Sequence, residues 1–208
     1  MIGTDEPGTR SWWASSGIAV GVGAVLGVIT FLLQGVLPDG WSVLANSGAV
    51  WLTVALVLGM VLPGLTTVTA LLSGAAVEIA LVLGYYGAAP LAGYASSPRS
   101  VLLWCLVGVV GGPVFTLAGA LWRQRRWPWL AGGLFGGIWV GEGIHVLGLT
   151  EQSGYGPTGW VQIVVGVVVA LALGRSTWDR LLALASTAGG AVAMMAAEKL
   201  IELAFLSV

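Results

Sequence analysis

Residues 136–148 read GGIWVGEGIHVLG, an apolar stretch that holds Glu142 and, three residues on, the only histidine of the chain, His145. On a helix, positions i and i+3 are neighbours, so the two side chains share a face. Three other carboxyls stand in apolar surroundings: Glu78 in AAVEIALVLGYY, and Glu198 and Glu202 in MAAEKLIELAF. An ionised side chain near a bilayer centre costs at least about 2.5 kcal/mol, which makes each of these a functional candidate. Burial favours the uncharged, protonated carboxyl, and a proton donor in an apolar cavity is a general acid. Glu78, Glu142, Glu198 and Glu202 are therefore the candidate acids. His145 is the group that would orient Glu142 or return its proton. A second reading keeps all of them as neutral partners in hydrogen bonds between helices. Lys199, standing between Glu198 and Glu202, favours that reading for those two.

Glu-x-x-His is also a ligand spacing of di-iron helical bundles, which carry it on two helices beside two further glutamates. Here it occurs once, with a single histidine, so neither a metal nor another cofactor is expected. No aspartate lies deep in an apolar run to complete a Ser-His-Asp arrangement. The stretch GVGAVLG is helix-packing glycine, not a phosphate-cradling loop.

Positioning such groups falls to helices in lipid. The chain of 208 residues is 57% hydrophobic and 8% charged, whereas soluble domains carry roughly 25% charged residues. So few charges cannot clothe a surface in water. Crossing a hydrocarbon core of about 30 Å takes roughly 20 apolar residues per helix. Apolar runs bounded by Gly, Pro, Ser and charge mark seven segments, at about 16–36, 48–62, 64–87, 100–122, 128–148, 159–175 and 179–206. Residues 48–87 are too many for one crossing, and Pro63-Gly64 divides them. The expected architecture is all-α: a bundle of seven transmembrane helices, six if the short run 159–175 is left out, in one domain over residues 1–208. The 33 glycines suit close helix packing in lipid. Cys105 is the only cysteine, so no disulfide forms within the chain. A net charge of −1 without a basic tail argues against nucleic acid as a partner. Asp5 and Glu6 ahead of Arg10 make a poor secretory signal, and the first helix is expected to be retained.

Loop charge sets the orientation. Seven crossings gather Arg10, Arg123, Arg125, Arg126, Arg175 and Arg180 on one side, against Arg99 on the other with Lys199 near it. Basic residues favour cytoplasmic loops, so a multi-pass cell-membrane protein is expected, with its N-terminus inside and its C-terminus outside. At 1.5 Å per residue, Glu78 then lies about 20 Å, Glu142 about 21 Å and His145 about 26 Å from the inner ends of their helices. The three share a layer in the outer half of the membrane. Glu198 and Glu202 stand at the outer interface or just beneath it.

Asn46 and Trp51 approach that layer from helix ends on the same side, under the loop LPDGWSVLANSG. With Tyr85, Trp104 and Trp139 they form the expected substrate-binding set, ordinary packing being the alternative for each aromatic. Trp12, Trp13, Trp127, Trp129 and Trp178, beside the inner arginines, read as interface anchors.

The whole chain resembles a group of small actinobacterial membrane proteins defined as a domain of unknown function. LPDGWSVLANSGAVWL, GGPVFTLAGALWR and WVGEGIH carry the likeness, which implies no activity. AAVEIALVLGYY also resembles the early-acid segment of the integral-membrane terpene cyclases of meroterpenoid pathways. That resemblance implies a small seven-helix fold and two intramembrane acids that protonate an epoxide or an olefin. The early acid would be Glu78 and the late one Glu198 or Glu202. Where that family carries a tryptophan before the early acid, this chain has Val77, and Glu142 has no counterpart.

Three functions remain in view. Acid-initiated cyclisation of a hydrophobic, prenylated substrate entering from the bilayer needs a neutral acid, an apolar cavity and aromatic faces that stabilise cations. A solute-binding subunit, resembling the capture components of vitamin transporters, fits the polar layer and the Trp-rich rim. A structural subunit without a ligand fits the composition. The orientation is checked directly: a reporter active only in the cytoplasm, fused after Val208, is expected to be silent.

Overall fold

The computed structural model describes residues 11–38, 40–148 and 156–206. Asp5, Glu6, Arg10 and most of the loop EQSGYGPTG lie outside the described residues. The elements are helical: α1 (Trp12–Val36), α2 (Ser42–Ala45), α3 (Gly48–Val61), α4 (Thr67–Ala88), α5 (Pro98–Arg123), α6 (Pro128–Gly148), α7 (Gly156–Leu173) and α8 (Thr177–Leu206). A 3-10 turn, Ala89–Ala92, extends α4. Among the described residues, six helices are long and apolar enough to cross a membrane, and α3 is a shorter apolar helix. The chain is a multi-pass membrane protein in build. Large apolar side chains stay exposed, Val110 at 71% and Val192 at 69% among them, as a lipid-facing surface requires.

The short element is 48–62 and not 159–175. With 14 residues, α3 spans about 21 Å, less than the roughly 30 Å of hydrocarbon. Local chemistry places the ends. Thr66 caps α4 by accepting from the Thr69 amide at 3.2 Å, after a turn in which Gly64 has a φ of 72°. Proline opens both α5 and α6, where its missing amide hydrogen costs nothing. Ser176 caps α8, accepting from the Asp179 amide at 3.0 Å.

The chain divides into two compact units, Met1–Phe31 with Val54–Gln124, and Leu32–Thr53 with Arg125–Val208. In the first unit, glycines let backbones touch. Gly23 of α1 lies against the Val77 carbonyl of α4, and Gly27 lies against the Leu81 carbonyl. Four residues on one helix match four on the other, so α1 and α4 run parallel. Gly59 of α3 meets the Thr116 carbonyl of α5, and Gly119 meets the Leu56 carbonyl. The Thr116 hydroxyl donates to the Ala55 carbonyl at 3.0 Å. Gly74 of α4 packs on Gly112 and Pro113 of α5.

In the second unit, α6 packs closely against both α7 and α8. Gly133, Gly137 and Gly141 of α6 face Ser186, Gly190 and Met194 of α8. The constant step of four again means parallel helices. Gly143 meets Gly159 and Gly132 meets Ala170, so α6 and α7 are antiparallel. These directions are the ones successive crossings produce.

The close approach at Gly27 makes a test. A Cβ there would collide with the Leu81 carbonyl and stand 2.8 Å from the Tyr85 nitrogen, whereas Gly21 has nothing within 4 Å. Gly27→Ala is expected to cost about 1–3 kcal/mol or more. Gly21→Ala should be neutral, or slightly stabilising because alanine favours helix. Thermal unfolding of both variants in detergent checks this.

Candidate functional site

The second unit contains a buried carboxyl with a full set of donors. α3 begins at Gly48, away from water: Ser47 is 2% and Ala49 0% exposed. The first amides of a helix have no partner within it, and here other groups accept from them. The Ser47 hydroxyl oxygen accepts from the Val50 amide at 3.1 Å. Glu142 Oε2, reaching across from α6, accepts from the Ala49 amide at 2.7 Å. Its Oε1 accepts from Gln162 Nε2 of α7 at 3.0 Å, and the Ser47 side chain also hydrogen-bonds the carboxyl. Glu142 thus ties α3, α6 and α7 together. The positive end of a helix favours an anion or a carboxyl oxygen at this position.

Gln162 is fully buried, and its Oε1 has no hydrogen-bond partner. Trp139, one turn before Glu142 on α6, donates through Nε1 to the Thr53 hydroxyl at 2.9 Å and stacks on Phe135 with centroids 5.4 Å apart. Trp51 is buried at 4% exposure, and Asn46 is exposed at the end of α2. The loop before α2 is anchored where the Thr158 hydroxyl donates to the Gly40 carbonyl at 2.6 Å.

His145 and Glu142 share a helix but turn to different neighbours. The stripe of Gly133, Gly137 and Gly141 continues to His145, and its partner stripe of Ser186, Gly190 and Met194 continues to Glu198. His145 and Glu198 interact electrostatically, as do Glu198 and Glu142. Both His145 and Glu198 are half-buried. Glu202 is exposed and ion-paired to Lys199 at 2.7 Å. Orientation of Glu142 comes from Ser47, Ala49 and Gln162, none of them singled out from the sequence. Gln162 did leave a signal, as the only side chain of its kind within the apolar run 159–175.

The first unit holds the other deep carboxyl. Glu78 is 2% exposed, and its Oε1 has no hydrogen-bond partner. Its stem fits because α5 has no side chains opposite: a Cβ on Gly108 would stand 2.8 Å from Glu78 Cβ, and one on Gly112 would stand 2.6 Å from Cγ. Two turns along α4, about 10 Å away, begins a cluster of aromatic rings. Phe31 meets Tyr85 edge-on at 5.7 Å and Tyr94 at 6.0 Å, and Tyr85 meets Tyr86 at 5.1 Å. Trp104 of α5 hydrogen-bonds the Tyr86 side chain. Of the catalytic and substrate-binding residues expected from the sequence, Glu78, Tyr85 and Trp104 therefore belong to the first unit, and the rest to the second.

Among the described residues, no group of three or more His, Cys, Asp or Glu is placed to hold a metal ion. A family described as a family of unknown function, DUF6518, matches residues 6–203. No curated protein and no solved structure matches the chain.

Removing Glu142 tests its bond to α3. Glu142→Leu leaves the Ala49 amide and the Gln162 side chain buried without an acceptor, at about 1–3 kcal/mol for an orphaned group. Glu142→Gln keeps one acceptor and should lose less. Gly48→Ala, whose Cβ would stand in ordinary contact with Met194 Cε at 3.5 Å, should leave the midpoint near wild type. Unfolding midpoints in detergent report the order.

Proposed function

The chain belongs to this family of unknown function, and on that premise we propose that it is an integral-membrane enzyme of terpene-cyclase type. In this reading it starts cyclisation of a prenylated, lipid-like substrate by donating a proton, and Glu78 is the acid. One observation carries the proposal: a carboxyl at 2% exposure with an unpartnered Oε1 stands on the helix that presents Tyr85 to an aromatic cluster two turns on.

The chemistry follows from that placement. The Glu78 O–H bond breaks as a bond forms from its hydrogen to an epoxide oxygen or an olefin carbon. The next double bond of the substrate attacks the electron-poor carbon, the C–O bond of an epoxide breaking there to leave a hydroxyl, which closes a ring and moves the positive charge along the chain. Aromatic faces attract that charge, and the apolar surround keeps water from capturing it. Loss of a proton from carbon ends the sequence and returns the acid. Atoms balance without a cofactor.

A second reading, the solute-binding subunit of a vitamin-type transporter, is favoured by the buried start of α3 beside Glu142. Helix breaks of that kind form substrate sites in many transporters. Mass spectrometry of small molecules that co-purify in mild detergent separates the two: a prenylated aromatic compound supports the cyclase, a water-soluble vitamin the binding subunit.

For the enzyme, the decisive variant is Glu78→Gln. Losing a positioned proton donor typically costs 10² to 10⁴-fold in rate. With a prenyl-indole or prenyl-phenol substrate in D₂O, the olefin-derived product should carry one solvent deuterium on carbon. A folded Glu78→Gln protein with normal turnover would make this carboxyl structural and end the cyclase reading.

A further inference from the structure

The Glu142 site has a property that cyclisation does not use. As it stands, the carboxyl receives hydrogen bonds from the Ala49 amide at 2.7 Å and Gln162 Nε2 at 3.0 Å. That arrangement suits a carboxylate. Gln162 is 0% exposed, and the other end of its amide, Oε1, has no partner. A carboxamide turned by 180° has the same shape with donor and acceptor exchanged. Turned that way, Gln162 would offer its oxygen to a protonated Glu142, which needs an acceptor for its new O–H. One side chain thus supplies a partner to both protonation states, and the unpartnered oxygen is the half held in reserve.

The groups around Glu142 also provide a way in. On its own helix α6, one turn on, stands half-buried His145. From α8 comes Glu198, half-buried and electrostatically coupled to both Glu142 and His145. Glu202 and Lys199, on the same helix, are ion-paired at 2.7 Å, and Glu202 is also electrostatically coupled to His145. The polar neighbours from α7 and from the start of α3 are Gln162 and Ser47, neither of which titrates near neutral pH. Among the described residues, the exchangeable groups that lead away from Glu142 are Glu198 and, coupled to it, His145.

We propose that Glu142 is the buried end of a proton-binding site in the second unit, and that the His145–Glu198 pair is its route to the surface. A proton reaching the pair passes to a Glu142 oxygen, forming an O–H bond there. The Gln162 amide turns to accept it, and the reverse steps release it. The ligand is a proton alone.

Infrared spectroscopy of the full chain in lipid bilayers reads this directly, through the C=O stretch of a protonated carboxyl. Over about pH 4 to 9, which brackets ordinary carboxyl and imidazole groups, the wild type should gain and lose a carboxylic band that Glu142→Gln lacks. The same titration in Glu142→Gln and wild type would overturn the site. If Glu142→Gln fails to fold, Gln162→Leu serves. It keeps the carboxyl but removes its amide partner, so the band should shift to higher frequency, and an unmoved band overturns the proposal. After a rapid pH jump to the acid plateau of each protein's own titration, Glu198→Gln should slow the appearance of the Glu142 band by at least about tenfold. Glu202→Gln, which removes a charge coupled to His145 but not to Glu142, should slow it far less. An unaltered rate in Glu198→Gln would remove the pair as the route. No turnover is measured, so the outcome is independent of the cyclase reading.

Discussion

A helix that begins away from water must still find acceptors for its first amide hydrogens, since apolar surroundings supply none. At the start of α3, in the second unit, the Ser47 hydroxyl and one carboxyl meet that requirement. Glu142 reaches from α6 to the Ala49 amide of α3 and is held in turn by Gln162 of α7. Three helices meet at one pair of oxygens. The buried start of α3 and the fully buried Gln162 are both joined through this carboxyl. The polar residues nearest it are consequences of satisfying it.

The first unit meets the same apolar solvent in another way. Its polar backbone is already paired inside helices, so stability comes from how closely the helices approach. Gly23 and Gly27 bring α1 onto carbonyls of α4, and Gly59 and Gly119 do the same for α3 and α5. Without a hydrophobic force between helices in lipid, close dispersion contact of this kind is the main source of association. Glu78 sits in that packing because Gly108 and Gly112 vacate the volume its stem fills. The two deep carboxyls thus differ in kind: Glu142 is enclosed by hydrogen-bond donors, Glu78 by carbon.

Much of the fold could be read before the structure. Hydropathy marks 48–62 and 128–148 because burial in lipid demands long apolar runs, and the helices Gly48–Val61 and Pro128–Gly148 follow them closely. The short α2 left no such mark: four residues, SVLA, carry no period. Glu78, Glu142 and His145 stood out because charge is costly in apolar surroundings. Their partners did not. The Ala49 amide is backbone and has no sequence signal, and Ser47 reads as an ordinary cap. The spacing of Glu142 and His145 implied a shared face, yet α6 is clasped on several sides, so neighbours on one helix serve different partners. Spacing gives the angle between side chains but not what stands opposite each.

The matched stripes of α6 and α8 carry a further consequence. Gly133, Gly137 and Gly141 meet Ser186, Gly190 and Met194 at a constant interval, so the contact is nearly periodic along the axis. A periodic contact resists separation better than it resists sliding, since a slip of one turn, about 5.4 Å, again places glycine opposite a small or flexible side chain. Something aperiodic must fix the position. The stripes end in His145 and Glu198, and a slip in one direction would set His145 against Met194, while a slip in the other would press Glu198 onto Gly141. The His145–Glu198 pair at the end of the interface therefore acts as a vernier mark, choosing one alignment among several that packing alone would accept.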